Sequence, residues 1–125
     1  MSVSPKSKVT AAIYAILLNV AILWSGHPHA SASELQLVMF TAEYCPSCRA
    51  WEQEVGNIYE KSPYQAQLPL TRLDFSTPVS DHLSLKQPVS TTPTFVIIKG
   101  EEEVGRILGF TDPEMFWWEL SVYLE

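Results

Sequence analysis

Leu35, Leu37, Val38, Met39 and Phe40 make a nearly unbroken apolar run, the pattern of a strand covered on both faces in the middle of a sheet. Cys48, Trp51, Val55 and Ile58 with Tyr59 then recur at helical spacing, and Pro46 suits the first turn of that helix. This phase puts Cys48 on the buried face and Cys45 at an exposed first turn. Ser62-Pro63 closes the helix, and a polar stretch leads to a second strand marked by Leu70, Leu73 and Phe75. A helix between two strands is a βαβ unit, whose right-handed crossover makes the strands parallel. The pattern weakens between residues 76 and 87, where Ser80-Asp81 is placed to cap a short helix carrying Leu83 and Leu85.

Thr94-Phe95-Val96-Ile97-Ile98 is a further strand, turned by Lys99-Gly100 and the acidic triplet Glu101 to Glu103 into Val104-Gly105-Arg106-Ile107-Leu108. That reads as an antiparallel hairpin, with the triplet as a solvated tip guarding a sheet edge rather than a docking site. The last helix has the clearest start. Thr111-Asp112-Pro113-Glu114 supplies a side-chain cap at Thr111 or Asp112, a proline in the first turn and an acid at the positive end of the dipole. Phe116, Trp117, Leu120, Tyr123 and Leu124 form its core stripe, while Met115, Trp118 and Val122 form a second. Two stripes exceed what one sheet face covers; extra core coverage is the expectation, a partner patch the alternative.

The N-terminus changes the size of this domain. Lys6 and Lys8 precede an uncharged apolar run over residues 9–24, followed by a polar stretch and Ala30-Ser31-Ala32, in the order of a secretory signal peptide. The run is short for a span, which needs roughly 20 residues, so cleavage after Ala32 is expected over an uncleaved anchor. Residues 33–125 would remain, with six basic and fourteen acidic side chains. A net charge of −8 argues against nucleic acid and favours solubility.

Export gives the two cysteines meaning, since an oxidising compartment pairs them. A structural staple closes a long loop, whereas two intervening residues close almost none and remove little unfolded-state entropy. A thiol at a helix N-terminus instead meets unpaired backbone donors and the positive dipole end, which favour thiolate, the form that attacks disulfides. Cys45 is therefore the attacking residue, and Cys48, shielded one turn later, the resolving one. Metal binding is the rival reading. Two thiolates are half of a tetrahedral zinc site, no second pair exists, His82 is the sole histidine after residue 32, and His27 and His29 fall in the cleaved segment. A two-coordinate Cu(I) site, as in a non-enzymatic copper chaperone, is the alternative from another function class. Pro93 precedes the Thr94 strand, either as a strand-start residue or as the carrier of a cis bond.

The run Leu37 to Cys48, followed by Thr92-Pro93-Thr94-Phe95 and a glycine-bearing hairpin, resembles the thioredoxin family over essentially all of residues 34–125. The likeness implies an α/β, minimal thioredoxin-like fold with a central four-stranded mixed sheet flanked by helices. It implies that Pro93 is a cis-proline facing the disulfide and that the Thr92 backbone pairs with a bound peptide like an added strand. Tyr44, Pro46, Thr92 and Pro93 are then the substrate-binding residues, and the redox-active Cys45–Cys48 pair needs no further cofactor.

Departures from the family are specific. The usual first strand and helix are missing, Pro46-Ser47 replaces Gly-Pro, and Tyr44 stands where a tryptophan is common. Met39 occupies the place of a buried acid that relays a proton to the resolving cysteine, and Glu43 is the nearest substitute, read here as a solvated charge. A narrower likeness is to the SoxS-type thioredoxins of bacterial sulfur oxidation, in the segments Leu37 to Phe40, Cys45-Pro46-Ser47-Cys48, Thr92 to Val96, and Val104 to Phe110 leading to Phe116-Trp117. It implies a periplasmic reductant of disulfide-bearing exported proteins, recharged by a membrane thiol transporter and serving sulfur-oxidation maintenance; a monomer is the separate expectation. An oxidase or isomerase of exported proteins is the alternative direction.

Overall fold

A computed structural model of the protein describes residues 35–79 and 83–124. Residues 1–34, over which a signal segment is expected, and Ser80, Asp81 and the three histidines lie outside the described residues. Strand β1 (Leu35–Thr41) leads to helix α1, which comprises Pro46–Trp51, a π-helical stretch Glu52–Gly56 and Asn57–Tyr59. A short helix α2 (Tyr64–Gln67), absent from the sequence expectation, precedes β2 (Leu70–Asp74). Strands β3 (Thr94–Lys99) and β4 (Glu102–Leu108) and helix α3 (Pro113–Ser121) complete the domain.

The sheet is four-stranded and mixed, in the order β2-β1-β3-β4, with β1 parallel to β2 and antiparallel to β3. β1 is central, as its unbroken apolar run requires: Leu37, Val38, Met39 and Phe40 are all buried. Leu37 and Met39 face the helices, where Trp51 meets Phe95 at 5.0 Å and Phe116 at 5.5 Å between ring centroids. Such aromatic pairs add about 0.5–1.5 kcal/mol each beyond the area they bury. Val38 and Phe40 face the other way with Val96 and Ile98, and there Leu73, Val79, Leu83, Leu85 and Val89 supply the cover.

Four sequence expectations change. Ile58 is 59% exposed while Tyr59 is fully buried. The wider turns of the π stretch delay the helical phase by about one residue, which rotates Ile58 off the face and leaves Tyr59 on it. Leu83 and Leu85 are not helical. Ser84 bridges Glu102 instead, its N–H donating to Glu101 O and its carbonyl accepting from Glu103 N, so the segment runs extended along β4 with its leucines turned to the sheet. The second stripe of α3 covers no core: Trp118 is 64% exposed, and Met115 and Val122 are also exposed, because Phe116 and Leu120 already occupy the space over the sheet beside α1. Phe75 falls beyond β2 and is exposed. The Asp112 side chain settles the cap of α3, accepting from Met115 N at 2.9 Å.

The acidic triplet also divides. Glu101 and Glu102 are exposed, but Glu103 is buried. Ile97 pairs with Gly105 and Ile98 with Glu103, so Val104 is the extra residue of a β-bulge. Upstream of the bulge every side chain changes face, which turns Glu103 inward and Val104 outward. Gly105 lies under Tyr123, whose ring leaves no space for a Cβ there.

Candidate active site

Four features converge beyond the carboxyl end of β1, where open α/β sheets commonly place their sites. Residues 42–44 carry the chain from β1 to Cys45, which caps α1, and a disulfide joins Cys45 to Cys48 with their Cα atoms 5.2 Å apart. The Cys48 N–H donates to Cys45 Sγ at 3.1 Å, taking up one of the orphan donors of the first turn. That bond, with the dipole end behind it, would hold a Cys45 thiolate in place.

Cys45 is 5% exposed and Cys48 3%, so the exposed Cys45 expected from helical phase does not occur in the disulfide form. Each sulfur covers the other, and both side chains join the aromatic core beneath. Accessible surface at the site comes from the neighbours. Tyr44 is 86% exposed, and Pro46 and Ser47 are exposed at the start of α1.

Pro93 lies on the same end of the sheet, since Thr94 beside it pairs with Phe40 near the end of β1. It is buried, Thr92 is half-buried, and the bond between them is cis. The Pro93 carbonyl accepts from Gly109 N at 2.8 Å, and the Thr94 hydroxyl donates to Thr91 O at 2.7 Å. Thr92 makes no hydrogen bond among the described residues, which leaves its backbone groups open to a partner strand.

Met39 is fully buried in the same cluster as both cysteines, so no titrating side chain occupies the position of the relay acid. Glu43 is exposed. No group of three or more His, Cys, Asp or Glu side chains among the described residues is arranged to hold a metal ion. No helix among them is long and apolar enough to cross a membrane.

A charged pair away from this end, on the opposite face of the sheet and level with the start and middle of β1, was not legible in the sequence. Arg106 donates through Nε to Glu103 Oε1 at 2.8 Å and through Nη2 to Glu103 Oε2 at 2.9 Å, while Lys86 N donates to Glu103 Oε2 at 2.8 Å. Burial works to raise the Glu103 pKa, but the hydrogen bonds from Arg106 and the Lys86 backbone, with the charges of both residues, outweigh it and hold the carboxyl below its usual range. Residues three apart in a regular strand point to opposite faces, so only the bulge lets these two meet; Gly105 within the strand was the one local hint.

The family pattern described as a thioredoxin-like domain matches residues 29–123. The chain is similar to the thioredoxin of Chlamydia pneumoniae, 31% identical over 66% of this chain and 76% of that protein. It is also similar to thioredoxin H-type 1 of Nicotiana tabacum, 32% identical over 66% of this chain, and spans 61% of that protein's length. Among solved structures it resembles the reduced form of the periplasmic thioredoxin SoxS from Paracoccus pantotrophus, with 34% identity, a TM-score of 0.68, and coverage of 70% of this chain and 93% of that one.

Proposed function

This chain belongs to the thioredoxin-like domain family, and from that premise we propose that it is a thiol–disulfide oxidoreductase that reduces protein disulfides. The observation that carries this reading is the Cys45–Cys48 disulfide at the start of α1, with the Cys48 N–H on Cys45 Sγ. In the reduced protein the Cys45 thiolate attacks one sulfur of a substrate disulfide, forming a mixed disulfide and releasing the other sulfur as a thiolate. Cys48, deprotonated, then attacks Cys45 Sγ and expels the second substrate thiolate. Two electrons have passed to the substrate, whose thiolates take up two protons, and the oxidised pair remains. Tyr44 and Pro46 border the attacking sulfur, and Thr92 with Pro93 offers the backbone edge along which an extended substrate lies. No further cofactor is required, because the electrons reside in the two thiols.

Reduction is the favoured direction because the chain is similar to thioredoxins, among them the periplasmic SoxS protein. Similarity to a periplasmic SoxS thioredoxin and the N-terminal pattern support a periplasmic protein, with sulfur-oxidation maintenance as its setting. Its partners are then disulfide-bearing exported proteins, with a membrane thiol transporter as electron donor, and it acts as a monomer.

The trapping experiment follows from the assigned roles. Cys48→Ser removes the resolving thiol and is expected to accumulate mixed disulfides through Cys45, seen as thiol-sensitive adducts on a non-reducing gel. Equal trapping by Cys45→Ser would reverse the assignment, and no adduct with either variant would remove the activity.

A further inference from the structure

The chain from Ser84 to Pro93 reaches the groove edge without any helix or strand of its own, yet it is tied down on both sides of Val89 and Ser90. Ser84 bridges Glu102, and Lys86 N donates to Glu103. Arg106 then spans two consecutive carbonyls, Nη2 donating to Gln87 O at 2.8 Å and Nη1 to Pro88 O at 3.3 Å. The far end is closed by Thr94 Oγ1 on Thr91 O and Gly109 N on Pro93 O. Between Thr91 and Pro93 stands Thr92, whose backbone groups make no hydrogen bond among the described residues.

The Glu103–Arg106 pair occupies its position only because of the bulge at Val104, a device that re-aims a side chain. Both side chains are largely shielded, 3% and 13% exposed, so neither serves solvation. A bidentate carboxylate fixes the plane of the guanidinium, and the remaining N–H groups are thereby aimed at the two carbonyls. Fixed in this way, an edge loses less freedom when it pairs with a substrate strand, which favours binding.

We infer that Arg106, held by Glu103, is a positioning residue for substrate recognition: it sets the backbone of 86–88 so that Thr92 and Pro93 present a preformed edge to an extended, disulfide-bearing polypeptide. This rests on the thiol–disulfide reading above, and what it adds is the part that Arg106 and Glu103 play in holding that edge.

The test uses the full chain in its reduced form, with insulin as the polypeptide disulfide and dithiobis(nitrobenzoate) as a small disulfide without a backbone. Losing a charged hydrogen-bond donor weakens an ordered edge, so Arg106→Met is expected to raise KM for insulin about tenfold while kcat holds within about twofold. Arg106→Lys keeps the charge but not the fork, and is expected to fall between wild type and Met. An unchanged insulin KM in both variants overturns the inference. So does a loss on both substrates in proportion, which marks a purely structural role. If Arg106→Met does not fold, the Lys variant decides on the same readout. Wild-type protein that reacts with neither disulfide removes the oxidoreductase reading itself, whereas wild-type reaction with unaltered variants removes only the role of Arg106.

Discussion

Glu103 shows how a single carboxylate differs from its two neighbours in sequence. Glu101 and Glu102 face water, while Glu103 accepts from Arg106 and Lys86 in a shielded site that holds its pKa below the ordinary value. A depressed folded-state pKa means that the ionised form favours folding, so the contribution is present above about pH 4.5 and is lost as pH falls through the folded value. Thermal denaturation across a pH series checks this: wild type is expected to lose stability on acidification more steeply than Glu103→Gln, and the gap between them to close at low pH. Parallel curves would show that the carboxylate charge contributes nothing. At Met39 the residue scale speaks differently, because a fully buried thioether beside the disulfide has no proton to relay.

Helix α1 carries the clearest consequence at the scale of elements. A regular helix places Ile58 and Tyr59 on the same stripe as Trp51 and Val55, but the π stretch Glu52–Gly56 selects Tyr59 alone. The Tyr59 hydroxyl donates to Leu68 O at 2.5 Å, its ring stacks on Trp117, and burial pushes its pKa up, so it remains the neutral donor. By equilibrium denaturation, Ile58→Ser is expected to stay within about 0.5 kcal/mol of wild type and Tyr59→Phe to lose about 1 kcal/mol by leaving a buried carbonyl unpaired. A cost of several kcal/mol at Ile58 would restore the regular phase. Arg72 of β2 locks the same helix from outside, pairing with Glu52 and Glu60, and such exposed pairs contribute little individually. The hairpin shows the same dependence on one residue, since Val104 alone decides which acid turns inward.

For the whole molecule the open quantity is the equilibrium between dithiol and disulfide. Among the described residues one backbone N–H, that of Cys48, bonds Cys45 Sγ, and the surrounding core is apolar and aromatic. On the proposed reductase reading the reduction potential, measured by equilibration with glutathione, is expected near about −270 mV rather than about −120 mV. A value at the oxidising end would redirect the proposed function toward disulfide formation in exported proteins. Among the described residues, α1 and α3 pack on the face bearing the cysteines, and the opposite face is covered by Leu73, Val79, Leu83, Leu85 and Val89. That division ties the groove edge to a loop clamped by side chains rather than to a regular element.

Much of this was legible in residue order. The doubly buried β1, the proline-started helix with a cysteine at its cap, the parallel β2 and the antiparallel hairpin all follow from local periodicity and spacing, which survive whatever the chain later packs against. Cys45, Cys48 and Pro93 stood out for the same reason, as short-range patterns with a stated chemistry. Tertiary structure alone decided that Ile58 turns outward, that Leu83 and Leu85 run extended, that Met115, Trp118 and Val122 cover nothing, and that Glu103 meets Arg106. Each depends on a partner distant in sequence or on one inserted residue in a turn or ladder. A slip of one position changes which face a side chain occupies while leaving the local pattern untouched.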